Sequence, residues 1–277
     1  MSFRSALRPA LRPALASLSG LSIYAGIRHS SSSSSQVATC TRWLVRDAWS
    51  GAPRECPTPL VLLRTPGLSL GSGGASVGVS KATEETWYEW ADMFATRGYT
   101  TVEVDVSVAS APASAADTAN GSSDDSSTGN GAPSFPREIA AAKSALNDQI
   151  RLLNIPFAPI IVASGPSCLV AQAYISDHAA SGLVLVSPPP DADPRTEATT
   201  QEAGWAYPRF TYEPRFPILL VAEPGQEEAV TASRVGSAAE DGVGRGGKGV
   251  SIQVATDGPR GEKTRMEVER WMDSCGF

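Results

Sequence analysis

Short apolar runs alternate with amphipathic segments along most of this chain. Arg42 to Val45 predicts a short edge strand, and Leu60 to Leu63 is a continuous apolar run of the kind expected for a strand covered on both faces. A glycine-rich loop, Thr65 to Gly78, precedes a helix over Thr83 to Arg97, with Glu84 and Glu85 favourable to the dipole in its first turn and Gly98 as its stop. Trp87, Tyr88, Trp90 and Phe94 fall at helical spacing and read as its packing face. The β-branched stretch Thr100 to Val106 predicts a strand. Helical spacing returns with Ile139, Ala142, Leu146, Ile150 and Leu153, with Pro136 acceptable in the first turn. Pro159 to Ala163, Gly182 to Val186, Phe216 to Val221 and Val250 to Val254 complete the strands. A helix is expected from Leu169 to Ala180, and another from Glu262 to Met272 that docks through Met266, Val268 and Trp271.

Strands alternating with helices in this way predict an α/β domain over 42–277: a mainly parallel sheet with right-handed crossovers that put helices on both faces. Two stretches break the rhythm. Ser107 to Pro133 is Ala, Ser, Gly, Asp and Asn, which cannot offset the entropy of ordering, so 107–133 reads as a disordered insertion. Gly236 to Gly249 reads as a mobile loop, since it lacks the lysine-serine/threonine ending of a phosphate cradle.

The net charge of −6 is unevenly spread, because residues 1–30 hold Arg4, Arg8, Arg12 and Arg28 and no acid. The rest is more acidic still, which argues against nucleic-acid binding. Before Asp47 the chain is acid-free and rich in Arg, Ala, Leu and Ser, the composition of a mitochondrial transit peptide over 1–30. Arg28-His29-Ser30 resembles a processing site, and a disordered basic tail is the other reading of the segment. Leu15 to Ile27 is too short and serine-rich to span a bilayer, so a soluble protein of the mitochondrial matrix, with no membrane span, is expected. Cys40, Cys56, Cys168 and Cys275 lack ligand spacing, and His29 and His178 are the only histidines, so no metal and no cofactor are expected.

The most specific stretch is Ile161 to Ala171, which has the outline of a strand, a tight turn and a helix. Together with Ser181-Gly182-Leu183-Val184-Leu185-Val186-Ser187-Pro188-Pro189 and the order of elements from Leu60 to Phe277, it resembles the α/β-hydrolase superfamily. That resemblance implies a three-layer sandwich, here with a minimal cap. It also implies a Gly-x-Ser-x-Gly elbow presenting a nucleophilic serine. Anchoring on Leu169-Val170-Ala171 puts Gly165 at the serine position, with Ala163 and Ser167 at the flanking glycines.

Ser164, Gly165 and Ser167 then form a vestigial elbow, because glycine has no atom with which to attack. The family's histidine follows the last strand, yet Thr256 to Gly261 contains none, and none occurs further on. Where the family often has His-Gly on its oxyanion side, this chain has Arg64-Thr65. The reading is a mitochondrial α/β-hydrolase-fold protein with no catalytic residues, a scaffold binding an unknown protein partner or a small apolar ligand. The alternative is an esterase, thioesterase or lipase-like hydrolase using Ser167 with an unconventional base. Cys168, at the helix start where a dipole lowers a thiol pKa, is a second nucleophile to weigh against a small buried thiol. Glu223 and Glu227 stand near the family's acid position, and Asp105 and Glu103 near a strand end.

Overall fold

The computed structural model describes residues 23–26, 38–68, 87–108, 134–189, 216–241 and 249–277. In chain order the elements are β1 (Ile23–Gly26), β2 (Ala38–Arg46), β3 (Cys56–Arg64), α1 (Tyr88–Thr96), β4 (Tyr99–Val108), α2 (Ser134–Leu152) and β5 (Ile160–Ser164). There follow α3 (Ser167–Asp177), β6 (Gly182–Val186), β7 (Ile218–Ala222), α4 (Glu227–Thr231), α5 (Arg234–Asp241), β8 (Val250–Val254) and α6 (Glu262–Cys275). The strands form one sheet in the order β1-β2-β4-β3-β5-β6-β7-β8, parallel from β4 to β8, with β2 antiparallel to both β1 and β4.

Side chains alternate across a strand, so strands apolar at every position need cover on both faces. β5, β6 and β7 are buried throughout. Val61, Leu63, Ile161 and Ala163 join a core with Leu146 of α2 and Leu169 of α3. Their neighbours Leu60, Leu62, Ile160 and Val162 join a second core with Trp90 and Phe94 of α1 and Trp271 of α6. The result is a three-layer sandwich, with α1 and α6 on one face of the sheet and α2 and α3 on the other.

Several boundaries differ from expectation, each for a packing reason. The strand expected at 42–45 is the centre of the longer β2, and β1 pairs along its outer side, so β2 is not the edge. Ser107 and Val108, assigned to the insertion, belong to β4; Val108 is buried and its N–H donates to Pro66 O at 3.0 Å. The remainder of that insertion, 109–133, lies outside the described residues. Part of the expected glycine-rich loop is helix α5, where a Cβ on Gly236 would come within 2.0 Å of Val230 O. Gly236 is there to let α5 approach α4, a tertiary demand that local composition hides. Met266 does not dock α6, being 40% exposed, whereas Val268 and Trp271 are buried. Tyr88 likewise faces outward at 58% exposed, under the guanidinium of Arg46 at 4.3 Å.

Candidate functional site

β5 runs into a sharp reversal before α3. Gly165 occupies its apex with φ +56°, a left-handed conformation that costs any L side chain strain. Its N–H donates to Val186 O at 2.9 Å, and its carbonyl accepts from Cys168 N–H at 3.0 Å, so the turn is pinned to β6 and to the first turn of α3. No described atom lies within 4 Å of the point a Cβ would occupy. A side chain here would meet none of the described residues, at the position from which a nucleophile attacks, and glycine supplies none.

The other elbow residues are turned inward. Ser164 ends β5 and is 7% exposed; Ser167 opens α3, is 6% exposed, and its hydroxyl shares a 3.0 Å hydrogen bond with the hydroxyl of Thr65. The Cys168 thiol is fully buried, 3.5 Å from Ala163 O and 3.6 Å from Val186 O. Burial pushes its pKa up, against the lowering a helix start was expected to bring, because desolvation outweighs the backbone hydrogen bonds that oppose it.

One oxyanion donor of such an elbow is the N–H of the residue after the apex. That residue is Pro166, which has no N–H. The letter stood in the sequence, but its meaning depended on knowing that Gly165 is the apex.

Solved structures with the same arrangement of strands and helices were found by comparison. A structure from Lactobacillus plantarum WCFS1 assigned as a carboxylesterase matches at a TM-score of 0.50 and 10% identity, covering 93% of this chain and 99% of its own. A hormone-sensitive lipase from a metagenome library matches at 0.48 and 14%, covering 84% and 82%. Est1E from Butyrivibrio proteoclasticus matches at 0.46 and 14%, covering 84% and 94%. The fold is that of the α/β-hydrolases. Neither a family model nor a curated protein matches the chain.

In an α/β-hydrolase fold the base comes from the loop after the last strand. Here that loop does two other things. Asp257 accepts the N–H of Lys263 at 2.6 Å, the N–H of Thr264 at 3.2 Å and the Thr264 hydroxyl at 3.0 Å, which caps α6. The Lys263 hydrogen bond leads in holding its carboxyl below the ordinary carboxylate value. Arg260 lays its guanidinium 4.0 Å from the centre of the Trp87 ring, and its carbonyl accepts Trp90 Nε1–H at 3.3 Å. Sequence reasoning passed over Arg260, since a search for histidine has no reason to weigh an arginine.

His178 follows α3 at the end remote from the elbow, about 16 Å away at 1.5 Å per residue. Its ring stacks on Tyr174 at 4.6 Å, and Nδ1 lies 3.1 Å from Tyr174 O. His29 lies outside the described residues. Glu223 and Glu227 sit just beyond β7, Glu223 half-buried and Glu227 exposed.

The two carboxylates of β4 are engaged in ion pairs. Glu103 meets Arg46 Nη2 at 3.2 Å, both side chains 8% exposed, and Asp105 Oδ1 lies 3.5 Å from Arg64 Nε. Burial raises the pKa of both; Arg46 leads the opposition at Glu103, and Arg64 leads it at Asp105, followed by Arg42 and Arg260. Among the described residues no group of three or more His, Cys, Asp or Glu could hold a metal ion, and no helix is long and apolar enough to cross a membrane.

Proposed function

We propose that this α/β-hydrolase-fold chain acts by binding, not by hydrolysis, and that the vacated elbow is its binding site. The observation that carries the reading is the apex itself, a left-handed Gly165 followed by Pro166. Attack needs a nucleophile and acyl-transfer stabilisation draws on the N–H that follows it; these two letters withhold both. The absence of a histidine after β8 supports the same reading. Treatment of the purified protein with a fluorophosphonate probe tests it, with no covalent labelling expected. Labelling abolished by Ser167→Ala would establish the rival reading, a serine hydrolase with an unconventional base.

We further propose that residues 1–30 direct the protein to the mitochondrial matrix, on the strength of their arginines and lack of acids. Cleavage near Ser30 would remove β1 and leave β2 as the edge of the sheet. Sequencing the mature N-terminus from isolated mitochondria tests this, and a protein still beginning at Met1 would refute it.

A further inference from the structure

Arg260 is held from two sides, by the Trp87 ring under its guanidinium and by Trp90 Nε1–H on its carbonyl. Stacking on an aromatic face keeps a guanidinium's N–H edge in a defined plane, and five donors leave room for a ligand beside existing partners. Trp87 in turn donates its Nε1–H to Leu63 O at 3.0 Å, near the end of β3, and Leu63 pairs with Ala163, two residues before Gly165. Arg260 therefore lies toward the same rim of strand ends as the elbow. Arg64 stands on that rim too, with Asp105 already at its side.

A second observation comes from the neighbouring strand end. Ser187 follows Val186, whose carbonyl accepts the Gly165 N–H, so it stands beside the elbow. It is a non-glycine residue at φ +48°, and its buried hydroxyl has no hydrogen-bond partner among the described residues. A strained backbone that presents an unpaired buried hydroxyl marks a place where a ligand atom is wanted.

We propose that the elbow binds an organic monocarboxylate, with its oxygens held by the guanidinium of Arg260 and the hydroxyl of Ser187 over Gly165. A carboxylate matches the planar fork of an arginine through two parallel hydrogen bonds. A single negative charge suits a rim where Asp105 already offsets Arg64, in a chain whose net charge of −6 disfavours multiply charged anions. The assignment deepens the binding reading above and rests on it only in taking the elbow to be free of covalent chemistry.

Titration calorimetry on the full-length protein tests the proposal with three probes: sodium octanoate, uncharged octanamide and inorganic phosphate. Octanoate is expected to bind at least about tenfold more tightly than octanamide and more tightly than phosphate. Arg260→Gln is expected to weaken octanoate about tenfold or more while leaving octanamide unchanged, and Arg260→Lys, which keeps the charge without the fork, to fall between. Ser187→Ala guards against misfolding: it is expected to weaken octanoate several-fold, roughly the loss of one hydrogen bond, without lowering the melting temperature of the ligand-free protein. A purely structural serine would do the reverse. Equal binding of octanoate and octanamide, tighter binding of phosphate, indifference to Arg260→Gln, or no octanoate binding up to about 10 mM would each overturn the assignment. Fluorophosphonate labelling of Ser167 would instead defeat the non-catalytic reading, whatever octanoate does.

Discussion

Thr65 and Ser167 stand 102 positions apart in the chain, yet their hydroxyls share a buried hydrogen bond of 3.0 Å. The contact fastens the end of β3 to the start of α3 and occupies the serine that a hydrolytic reading would need. Removing either hydroxyl strands the other in a dry site, at a cost of about 1–3 kcal/mol. Thr65→Val and Ser167→Ala are therefore each expected to destabilise the fold, and the double variant by less than the sum. Urea denaturation of all four proteins measures the coupling, about 1 kcal/mol for a pair in contact.

Gly165→Ser restores the missing hydroxyl at a position with no described atom within 4 Å of its Cβ. The left-handed backbone makes the variant less stable by about 1–2 kcal/mol, and the chain still folds. No esterase activity is expected to appear, because Pro166 offers no oxyanion donor and His178 is at the far end of α3. Hydrolysis of p-nitrophenyl acetate, compared with Gly165→Ala, gives the answer; turnover well above that background would mean another group serves as base.

Arg46 and Glu103 form a buried pair, with Asp92 Oδ1 also 3.7 Å from the guanidinium. Arg46→Met removes the leading cation from the carboxylate, leaving Arg42 as its weaker counter-charge, and is expected to cost about 3–5 kcal/mol at neutral pH. Burial already raises the Glu103 pKa, and losing Arg46 raises it further. A carboxyl raised on folding binds its proton more readily in the native state, so stability grows as pH falls through that pKa. The penalty of Arg46→Met is thus expected to shrink as the pH is lowered from 7. A penalty unchanged by that lowering would show that Glu103 does not carry the charge.

Asp257 has the opposite sign. Hydrogen bonds from Lys263 and Thr264 lower its folded pKa, so the stabilisation is present above the unfolded value of about 3.9 and is lost as pH falls through the folded one. Asp257→Asn is expected to melt earlier than the parent at pH 7. At a pH below the folded pKa, where the parent's carboxyl is also protonated, the two curves should converge. Melting followed by circular dichroism at a series of pH values checks both halves.

Much of the architecture is legible in the letters because it follows from local chemistry. Gly182 to Val186 is apolar throughout and forms a strand with those ends, while Ile139, Ala142, Leu146 and Ile150 repeat at helical spacing and share one buried face. The elbow's outline can be read too, since small residues between an apolar strand and an apolar helix mark a tight reversal. Where reading failed, a partner distant in sequence decided the outcome. Gly236 looks like loop until α4 is set against it, and Met266 looks apolar enough to dock until the phase of α6 turns it outward.

The alternation of β2 to β8 with α1, α2, α3 and α6, the two-sided burial of the central strands and the glycine at the turn were settled by the sequence alone, because periodicity and backbone permissiveness are properties of neighbouring residues. Tertiary structure decided that Ser167 is spent on Thr65, that Asp257 caps a helix, and that Arg260 stands on Trp87 near the elbow. Those roles depend on contacts between residues far apart in the chain, which exist only once the sheet has brought its strand ends together.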